Sequence, residues 1–168
     1  MSWEDNCDSL CPIARALTEV GDRWTLLILR ELSFGVHRFE EIQAQTEMSS
    51  HSLASRLKRM EEAEIVVRRL YSTRPDRYEY FATDKGKDLD AVLLALRAWN
   101  LKWDRRSDGE EFAVKLVHKK SGELIDGHWQ NPPGESFSFD HTDARMSDSY
   151  RAEREGKRQK FSAGKRRR

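Results

Sequence analysis

Apolar residues recur at helical spacing near the start of the chain. Pro12 suits the first turn of a helix, where its missing N–H costs nothing, and Gly21 can end that helix. Asp22 is a good N-cap for a second helix, predicted over residues 23–32. This second segment is apolar on nearly every side, which is typical of a helix in the middle of a small core.

Two amphipathic segments follow, joined by a short connection. Helices are predicted over about 38–45 and 50–63, with Ser49 and Ser50 offering an N-cap for the latter. The helix over 50–63 keeps one apolar stripe, made of Leu53, Leu57 and Met60. The connecting residues, 46–49, have the length of the turn in a helix-turn-helix.

Strand-forming residues then lie on both sides of a turn. Residues 65–71 and 77–82 are rich in β-branched and aromatic side chains, and the turn over 72–76 contains Pro75. A helix-turn-helix followed by a β-hairpin is the layout of a winged helix. The expected fold is mainly α with a small β-hairpin wing (α+β): a winged helix-turn-helix with a long C-terminal helix and a small, partly disordered C-terminal extension.

The long helix, predicted over 83–105, carries apolar residues on two faces. One stripe consists of Leu89, Val92, Leu93, Leu96, Trp99 and Trp103, and the other of Leu94, Ala98 and Leu101. One face can serve the core of the chain, and the other then needs a partner, most simply a second copy. The sequence does not show which stripe faces outward.

Composition changes after residue 106, although the net charge of the 168-residue chain is only +1. Residues 107–150 form an acidic, apolar-poor extension, in which segments 112–117 and 124–129 are expected to pair as a hairpin. Residues 151–168 carry nine basic and two acidic side chains. We expect this last segment to be a disordered basic tail, because it has too little apolar surface to fold.

Several function classes are excluded on sequence grounds. No stretch approaches the roughly 18–20 apolar residues of a membrane span, and the acidic N-terminus does not resemble a secretory signal, so a cytoplasmic protein is expected. There is no phosphate-binding glycine loop, nucleophile elbow or zinc-protease motif, so no enzyme activity is expected. Neither a metal nor another cofactor is expected, because two cysteines and three irregularly spaced histidines, His118, His128 and His141, do not form a ligand set.

The helix over 50–63 has a polar face suited to a DNA major groove. Opposite its apolar stripe lie His51, Ser52, Ser55, Arg56 and Arg59. Arginine can bind guanine with two hydrogen bonds, and short polar side chains reach base edges without bulk. The N-terminus of the helix, at Ser49 and Ser50, also points backbone N–H groups at phosphate. The competing interpretation is an ordinary solvated helix face.

The predicted wing is basic. It carries Arg68, Arg69, Arg74 and Arg77, against Asp76 and Glu79. A basic hairpin beside a helix-turn-helix is placed to contact the adjacent minor groove or the backbone. The competing interpretation is a hairpin that is rich in arginine only for solubility.

The order and spacing of these residues resemble the HxlR family of bacterial winged-helix transcription regulators. The likeness is carried by CPIARAL at 11–17, GDRWTLLILREL at 21–32, Arg38-Phe39, and RYEY at 77–80 running into TDKG at 83–86. It covers residues 7–105 and is far more specific than a single short motif.

The resemblance implies a DNA-binding homodimer that pairs through its terminal helices, with residues 1–106 as the DNA-binding and dimerisation domain. It implies a recognition helix over 50–63, a wing over 66–82, and a characteristic helix arginine at Arg56. His51, Ser52 and Ser55 would then vary with operator choice, and Arg38 joins the candidate DNA contacts. The alternative is a winged helix that binds protein instead of specific DNA.

A small-molecule or oxidant effector is also suggested. Cys11 stands just before Pro12 at a predicted helix start, where the helix dipole favours a thiolate, and Arg15 lies four residues on. The resemblance implies a redox role for this position, with Cys7 as a second thiol. The competing interpretation is that Cys11 is a small buried packing residue.

Overall fold

The computed structural model describes residues 9–103, 113–126 and 129–166. The chain divides into two compact units, Met1–Gly86 and Lys87–Arg168. In the part of the chain that is described, no helix is both long and apolar enough to cross a membrane.

The N-terminal unit is a winged helix-turn-helix, as the sequence predicts. Its elements in chain order are α1 (Pro12–Val20), α2 (Arg23–Ser33), α3 (Phe39–Thr46), α4 (Ser50–Glu62), β1 (Val66–Thr73) and β2 (Asp76–Ala82). The short helix α5 (Asp84–Lys87) follows at the boundary between the two units.

Local sequence signals set the helix boundaries. The Asp22 carboxylate accepts hydrogen bonds from the backbone N–H groups of Trp24 and Thr25, at 2.9 and 3.1 Å, and so caps α2. Ser49 caps α4 in the same way, because its hydroxyl accepts from the Ser52 N–H at 3.1 Å. Glu47 ends α3 with a left-handed backbone, φ 57°. Capping therefore fixes where α4 begins.

The core of this unit sits between the helices. α2 lies centrally and packs against α1, α3, α4 and β2. The predicted stripe on α4 is confirmed as buried, together with residues of α2, α3 and the start of the wing; the buried apolar set is Ile28, Leu29, Leu32, Val36, Ile42, Ala44, Met48, Leu53, Leu57, Met60, Ile65 and Val66. Burial of one face of α4 leaves its opposite face to solvent.

The wing is an antiparallel hairpin of β1 and β2. The register pairs Val66 with Ala82 and Thr73 with Asp76, with a bulge between Leu70 and Ser72. The chain before α3 adds a single bridge to it, between Arg38 and Glu79. This third strand segment anchors the hairpin to the helix-turn-helix.

The C-terminal unit has its own small core. It contains α6 (Asp90–Trp103), β3 (Val114–His118), a 3₁₀ turn (Phe139–His141), β4 (Thr142–Met146) and α7 (Asp148–Arg166). The buried residues Leu116, Ile125 and Phe137 pack together, and Leu94 of α6 packs against them.

The extension differs from the predicted hairpin. β3 pairs antiparallel with β4, from Val114 opposite Met146 to His118 opposite Thr142, instead of with segment 124–129. Contact between the two predicted partners is short: Val117 and Leu124 form an isolated antiparallel bridge, and the Ile125 N–H donates to the Leu116 carbonyl at 2.8 Å. The prediction joined the nearest two apolar segments, whereas the strand that pairs with β3 along its whole length begins only at Thr142.

The C-terminal segment also differs from the prediction, because α7 covers most of the region expected to be disordered. Helix-forming residues and ion pairs within α7 stabilise it, including Glu153–Lys157 at 3.1 Å. Arg154 is buried within the unit. Low hydropathy was therefore a poor guide to disorder in a segment with strong helix propensity.

The long helix predicted over 83–105 is two helices, α5 and α6, and α6 belongs to the C-terminal unit. The buried Asp90 carboxylate accepts from Phe139 N–H at 3.0 Å and from the Ser138 hydroxyl at 3.1 Å. Burial raises the pKa of Asp90, against the lowering effect of these two hydrogen bonds. The division at residues 86 and 87 differs from the boundary expected near 106, since α6 packs on the extension.

Candidate nucleic-acid interface

The solvent-facing side of α4 is polar along most of its length, with Ala54 as an exposed apolar residue. His51, Ser52, Ser55 and Arg59 are exposed, as are Ser49 and Ser50 at its start. The Ser49 hydroxyl also donates to the Ser52 hydroxyl at 2.8 Å. In the described part of the chain, His51, Ser55 and Arg59 make no side-chain hydrogen bond or ion pair. Their polar atoms are therefore available to a partner.

Lys58 belongs to the same face and was missed from the sequence. It lies seven residues after His51, which returns to nearly the same side of a helix, and its side chain is 76% exposed. It pairs loosely with Glu62 at 3.7 Å. The seven-residue spacing was the signal that could have found it.

Arg56 is placed differently from the other predicted contacts. Its guanidinium Nη1 lies 2.9 Å from Asp22 Oδ2, and the side chain is only 18% exposed. Asp22 is the residue that caps α2, so this ion pair joins α4 to the start of the central helix. The charge of Arg56 is therefore paired within the N-terminal unit.

Three of the predicted basic residues, two on β1 and one just before α3, stack on aromatic rings of the wing. The guanidinium carbon of Arg68 is 4.7 Å from the Tyr78 ring centroid, and that of Arg69 is 4.5 Å from the Phe81 centroid. Arg38 stacks on the Tyr71 ring at 4.8 Å. Stacking holds each planar guanidinium in a defined orientation while leaving its edge free to donate.

Two of these arginines are also neutralised by carboxylates. Arg68 Nε lies 3.2 Å from Glu61, and Arg38 Nε donates to Glu79 at 3.1 Å. The hydrogen bond to Glu79 raises the pKa of Arg38. Because carboxylates partly neutralise their charge, Arg38 and Arg68 attract phosphate more weakly than unpaired arginines would.

The tip of the wing holds the remaining two arginines. Arg74 and Arg77 are exposed and make no ion pair or hydrogen bond with any residue that the structure describes. An open groove of about 540 Å³ lies between the tip and the start of α3, and its walls mix Arg38 and Arg77 with carboxylates such as Glu41. Uncompensated positive charge is thus concentrated at the tip itself.

Cys11 is exposed at the N-cap of α1, which contradicts the interpretation of a buried packing residue. Its backbone N–H donates to the Ser9 hydroxyl at 3.2 Å. The Arg15 guanidinium donates to the Ser9 carbonyl at 2.7 Å. Cys7 lies outside the described residues.

Apolar side chains are exposed on two helices. On α6 the outward stripe is Val92, Leu96, Trp99 and Trp103, with 42, 47, 63 and 63% exposure. The opposite side of α6 carries Leu94 and Arg97, and Arg97 donates to the carbonyls of Ile125 and Val114 at 2.9 and 3.0 Å. On α1, Ile13 is 69% exposed. The structure thus selects the outward stripe that the sequence left undecided.

The histidines of the extension have structural surroundings. His118 is buried, and its Nδ1 lies 3.0 Å from the Ser121 hydroxyl. Among the described residues, no group of three or more His, Cys, Asp or Glu side chains could hold a metal ion. His128 lies outside the described residues.

Comparison with known sequences identifies relatives that match between 55% and 68% of this chain. An HTH-type transcriptional regulator of Mycobacterium tuberculosis is 40% identical over 114 residues, which are 68% of this chain and 71% of the relative. The HTH-type transcriptional regulator YodB of Bacillus subtilis is 38% identical over 94 residues, 55% of this chain and 84% of YodB.

Comparison with solved structures gives the same fold. The crystal structure of PA1607, a candidate transcription factor, matches with a TM-score of 0.64 and 30% identity, over 86% of this chain and 99% of PA1607. A match over 86% of the chain is longer than residues 1–108, so it includes part of the segment that follows residue 108. The HxlR-like helix-turn-helix model matches residues 19–108. The chain therefore belongs to the HxlR-like helix-turn-helix family, a family of transcription regulators rather than enzymes.

Proposed function

We propose that the protein is a sequence-specific DNA-binding transcription regulator that acts as a homodimer, with α4 in the major groove and the wing on the backbone or minor groove. The observation that carries this proposal is the unoccupied polar face of α4 on the same compact unit as the two uncompensated arginines of the wing tip. Base recognition and phosphate attraction are the two components that specific DNA binding requires.

Within α4, base recognition falls to the exposed face. Arg59 has a free guanidinium that can bind guanine O6 and N7 together, and His51 and Ser55 are short enough to reach base edges. Lys58 suits a phosphate, because an ammonium acts as a compact point charge. The Arg56 side chain holds α4 in place and does not contribute a base contact in this proposal.

Dimerisation follows from the apolar stripe on α6. Two tryptophans more than 60% exposed, with Leu96 beside them, are unfavourable in water and are covered most simply by the same stripe of a second copy. On the other unit, the exposed Ile13 of α1 is a separate candidate for contact with a second copy. A two-fold dimer requires a roughly palindromic operator with half-sites about one helical turn or more apart.

The test is binding to duplex DNA that flanks the gene for this protein, at two salt concentrations and against an unrelated duplex of equal length. A specific regulator binds the flanking DNA more tightly, and its affinity falls as salt increases. A module that binds only protein shows neither behaviour, so the same measurement decides between the proposal and its alternative.

The wing tip should supply affinity without specificity. Arg74→Ala or Arg77→Ala should weaken binding to operator and unrelated duplex alike, and should flatten the salt slope by about one unit for each lost phosphate contact. Filter binding or fluorescence anisotropy across a salt series measures both effects. Arg68→Ala is the matched control on the wing body, because Glu61 already neutralises part of its charge and its loss should flatten the salt slope less. A selective loss on the operator would instead assign base contacts to the tip.

Redox control through Cys11 is a finer part of the proposal. Two thiols lose two protons and two electrons to diamide, so Cys11 can form a disulfide with Cys7 or with the partner's Cys11. The exposure of Cys11 makes such a reaction sterically open. We expect diamide to lower operator binding of the wild type and to leave Cys11→Ser unaffected, as measured by anisotropy with and without a thiol reductant. Superimposable titrations of the two proteins would exclude Cys11 as the sensor.

A further inference from the structure

The C-terminal end of α4 rests on the turn that leads from the wing into α5. The Thr83 hydroxyl donates to the Glu64 carbonyl at 2.6 Å, and the Thr83 N–H donates to the Ile65 carbonyl at 3.1 Å. Gly86 is buried at the same place, where an added Cβ would overlap the Ile65 carbonyl oxygen. The chain over residues 83–86 is therefore fitted closely to the end of α4.

Lys85 adds a contact that reaches two helices at once. Its ammonium donates to the Ala63 carbonyl at 2.9 Å and to the Glu19 carboxylate at 2.8 Å. Ala63 is the C-cap residue of α4, and Glu19 lies in the last turn of α1. Lys85 therefore links the end of α1 to the end of α4 within the N-terminal unit.

The two contacts of Lys85 are favourable without being essential to the fold. An ammonium beside the last carbonyls of a helix is stabilised by the negative end of the helix dipole. The ion pair with Glu19 is half-exposed, with 52% exposure of the Lys85 side chain and 46% of the Glu19 side chain. Ion pairs as exposed as this one contribute little to overall stability, so the link can be removed from a folded protein.

α1 is in a position to receive contacts from outside the N-terminal unit. Ile13 and Leu17 are exposed on α1, and Cys11 is exposed at its N-cap. A second copy bound to α1, or a chemical change at Cys11, acts on a helix whose other end carries Glu19. Rigid helices and ion pairs are the elements that carry such a displacement from one site to another. The Glu19–Lys85 pair is thus a route from α1 to α4.

We propose that Lys85 is a positioning residue that couples α1 to α4, so that the placement of α4 on DNA depends on the position of α1. The proposal rests on the function proposed above, in which α4 contacts base edges. Base contacts require side chains placed to within about 0.5 Å, whereas phosphate contacts carry no sequence information. Loss of the link therefore lowers discrimination between operator and unrelated DNA more than it lowers affinity for DNA in general.

The test compares Lys85→Met, Glu19→Gln and the double variant in the full chain. Anisotropy gives the ratio of operator affinity to unrelated-duplex affinity, and each single variant should lower this ratio about 3- to 10-fold, the effect of losing one hydrogen bond. The two substitutions change the net charge in opposite directions, so a general charge effect does not lower the ratio in both. The double variant should lower the ratio no further than Lys85→Met, because Glu19 acts through Lys85. Lys85→Arg keeps the charge and the donors and should recover most of the ratio.

The matched control is Lys120→Met, which removes an ammonium from an exposed ion pair of the other unit. Lys120 Nζ lies 2.9 Å from Glu135, and its loss changes the net charge by the same amount as Lys85→Met. The control should keep the wild-type ratio, and circular dichroism should show that every variant is folded. An equal loss in the control, additive losses in the double variant, a wild-type ratio in Lys85→Met or no recovery in Lys85→Arg would each overturn the proposal.

Amide hydrogen exchange tests the link without DNA. The N–H groups of Ala63 and Ile65 donate to the Arg59 and Met60 carbonyls at the end of α4. Glu19→Gln should speed the exchange of these two amides about 3- to 10-fold, and should have no further effect in Lys85→Met. Unchanged exchange in Glu19→Gln would refute the coupling. If the wild type prefers no operator duplex, the proposed regulator function fails, and the exchange rates still decide whether α1 is coupled to α4.

Discussion

Leu96→Glu and Trp99→Glu should each convert the protein from dimer to monomer and lower operator affinity by at least about 100-fold. Each change places a carboxylate in the apolar stripe of α6, where it would have to be buried without a partner in the dimer. Losing the dimer separates the two recognition helices, so binding at the second half-site is no longer intramolecular. Sedimentation measures the oligomeric state, and anisotropy measures affinity.

A matched variant tests whether position, and not charge alone, causes the loss. Asn100→Glu adds the same charge next to Trp99, but to the edge of the stripe, and should leave most of the protein dimeric. Circular dichroism must show unchanged helix content in all three variants. The prediction is contradicted if the wild type already sediments as a monomer. It is also contradicted if Leu96→Glu and Trp99→Glu remain dimers, because α6 would then lie outside the interface.

Arg59→Ala should weaken specific DNA binding, whereas Arg56→Ala should mainly weaken the folded state. Arg59→Ala should cost about 1–3 kcal/mol of binding free energy on the operator and relax base preference at one position, because its free guanidinium is the proposed base contact. Arg56→Ala leaves Asp22 without its cation at the start of α2 and should lower the free energy of unfolding by on the order of 1 kcal/mol. Its effect on DNA should be similar for all sequences.

Arg59→Lys separates base recognition from phosphate contact. Lysine keeps the charge but loses the two parallel N–H donors that match guanine. Discrimination between operator and mutated operator should therefore drop while affinity for unrelated DNA is kept. Urea unfolding of both alanine variants supplies the stability comparison. Retained discrimination in Arg59→Lys, or wild-type stability in Arg56→Ala, would contradict these assignments.

The winged helix-turn-helix could be predicted because its signals are local. Asp22 and Ser49 cap the helices that the sequence assigned to them, and the apolar stripe of Leu53, Leu57 and Met60 is buried. Most candidate contacts on α4 and the wing tip are exposed as expected. Each of these features depends on residues a few positions apart, where spacing alone determines which face is buried.

The features that the sequence could not show depend on contacts between residues distant in sequence. The ion pair of Arg56 with Asp22 depends on how α4 packs against α2, which helical spacing cannot show. The pairing of β3 with β4 skips the intervening apolar segment, and the ordered α7 depends on helix propensity in a region of low hydropathy. The outward stripe of α6 became clear only when Leu94 was found in the core of the extension.

The two-sided packing of α6 has a consequence for shortening the chain. A protein cut near residue 106, where the sequence suggests a domain end, would lack the strand and loop that cover Leu94 and the carbonyls that bind Arg97. The Asp90 carboxylate would also lose both of its hydrogen-bond donors. Such a fragment would expose apolar side chains on both faces of α6. It would therefore form aggregates of no fixed size instead of a two-fold dimer. The extension thus buries one apolar face of α6 and leaves only the other face available for association.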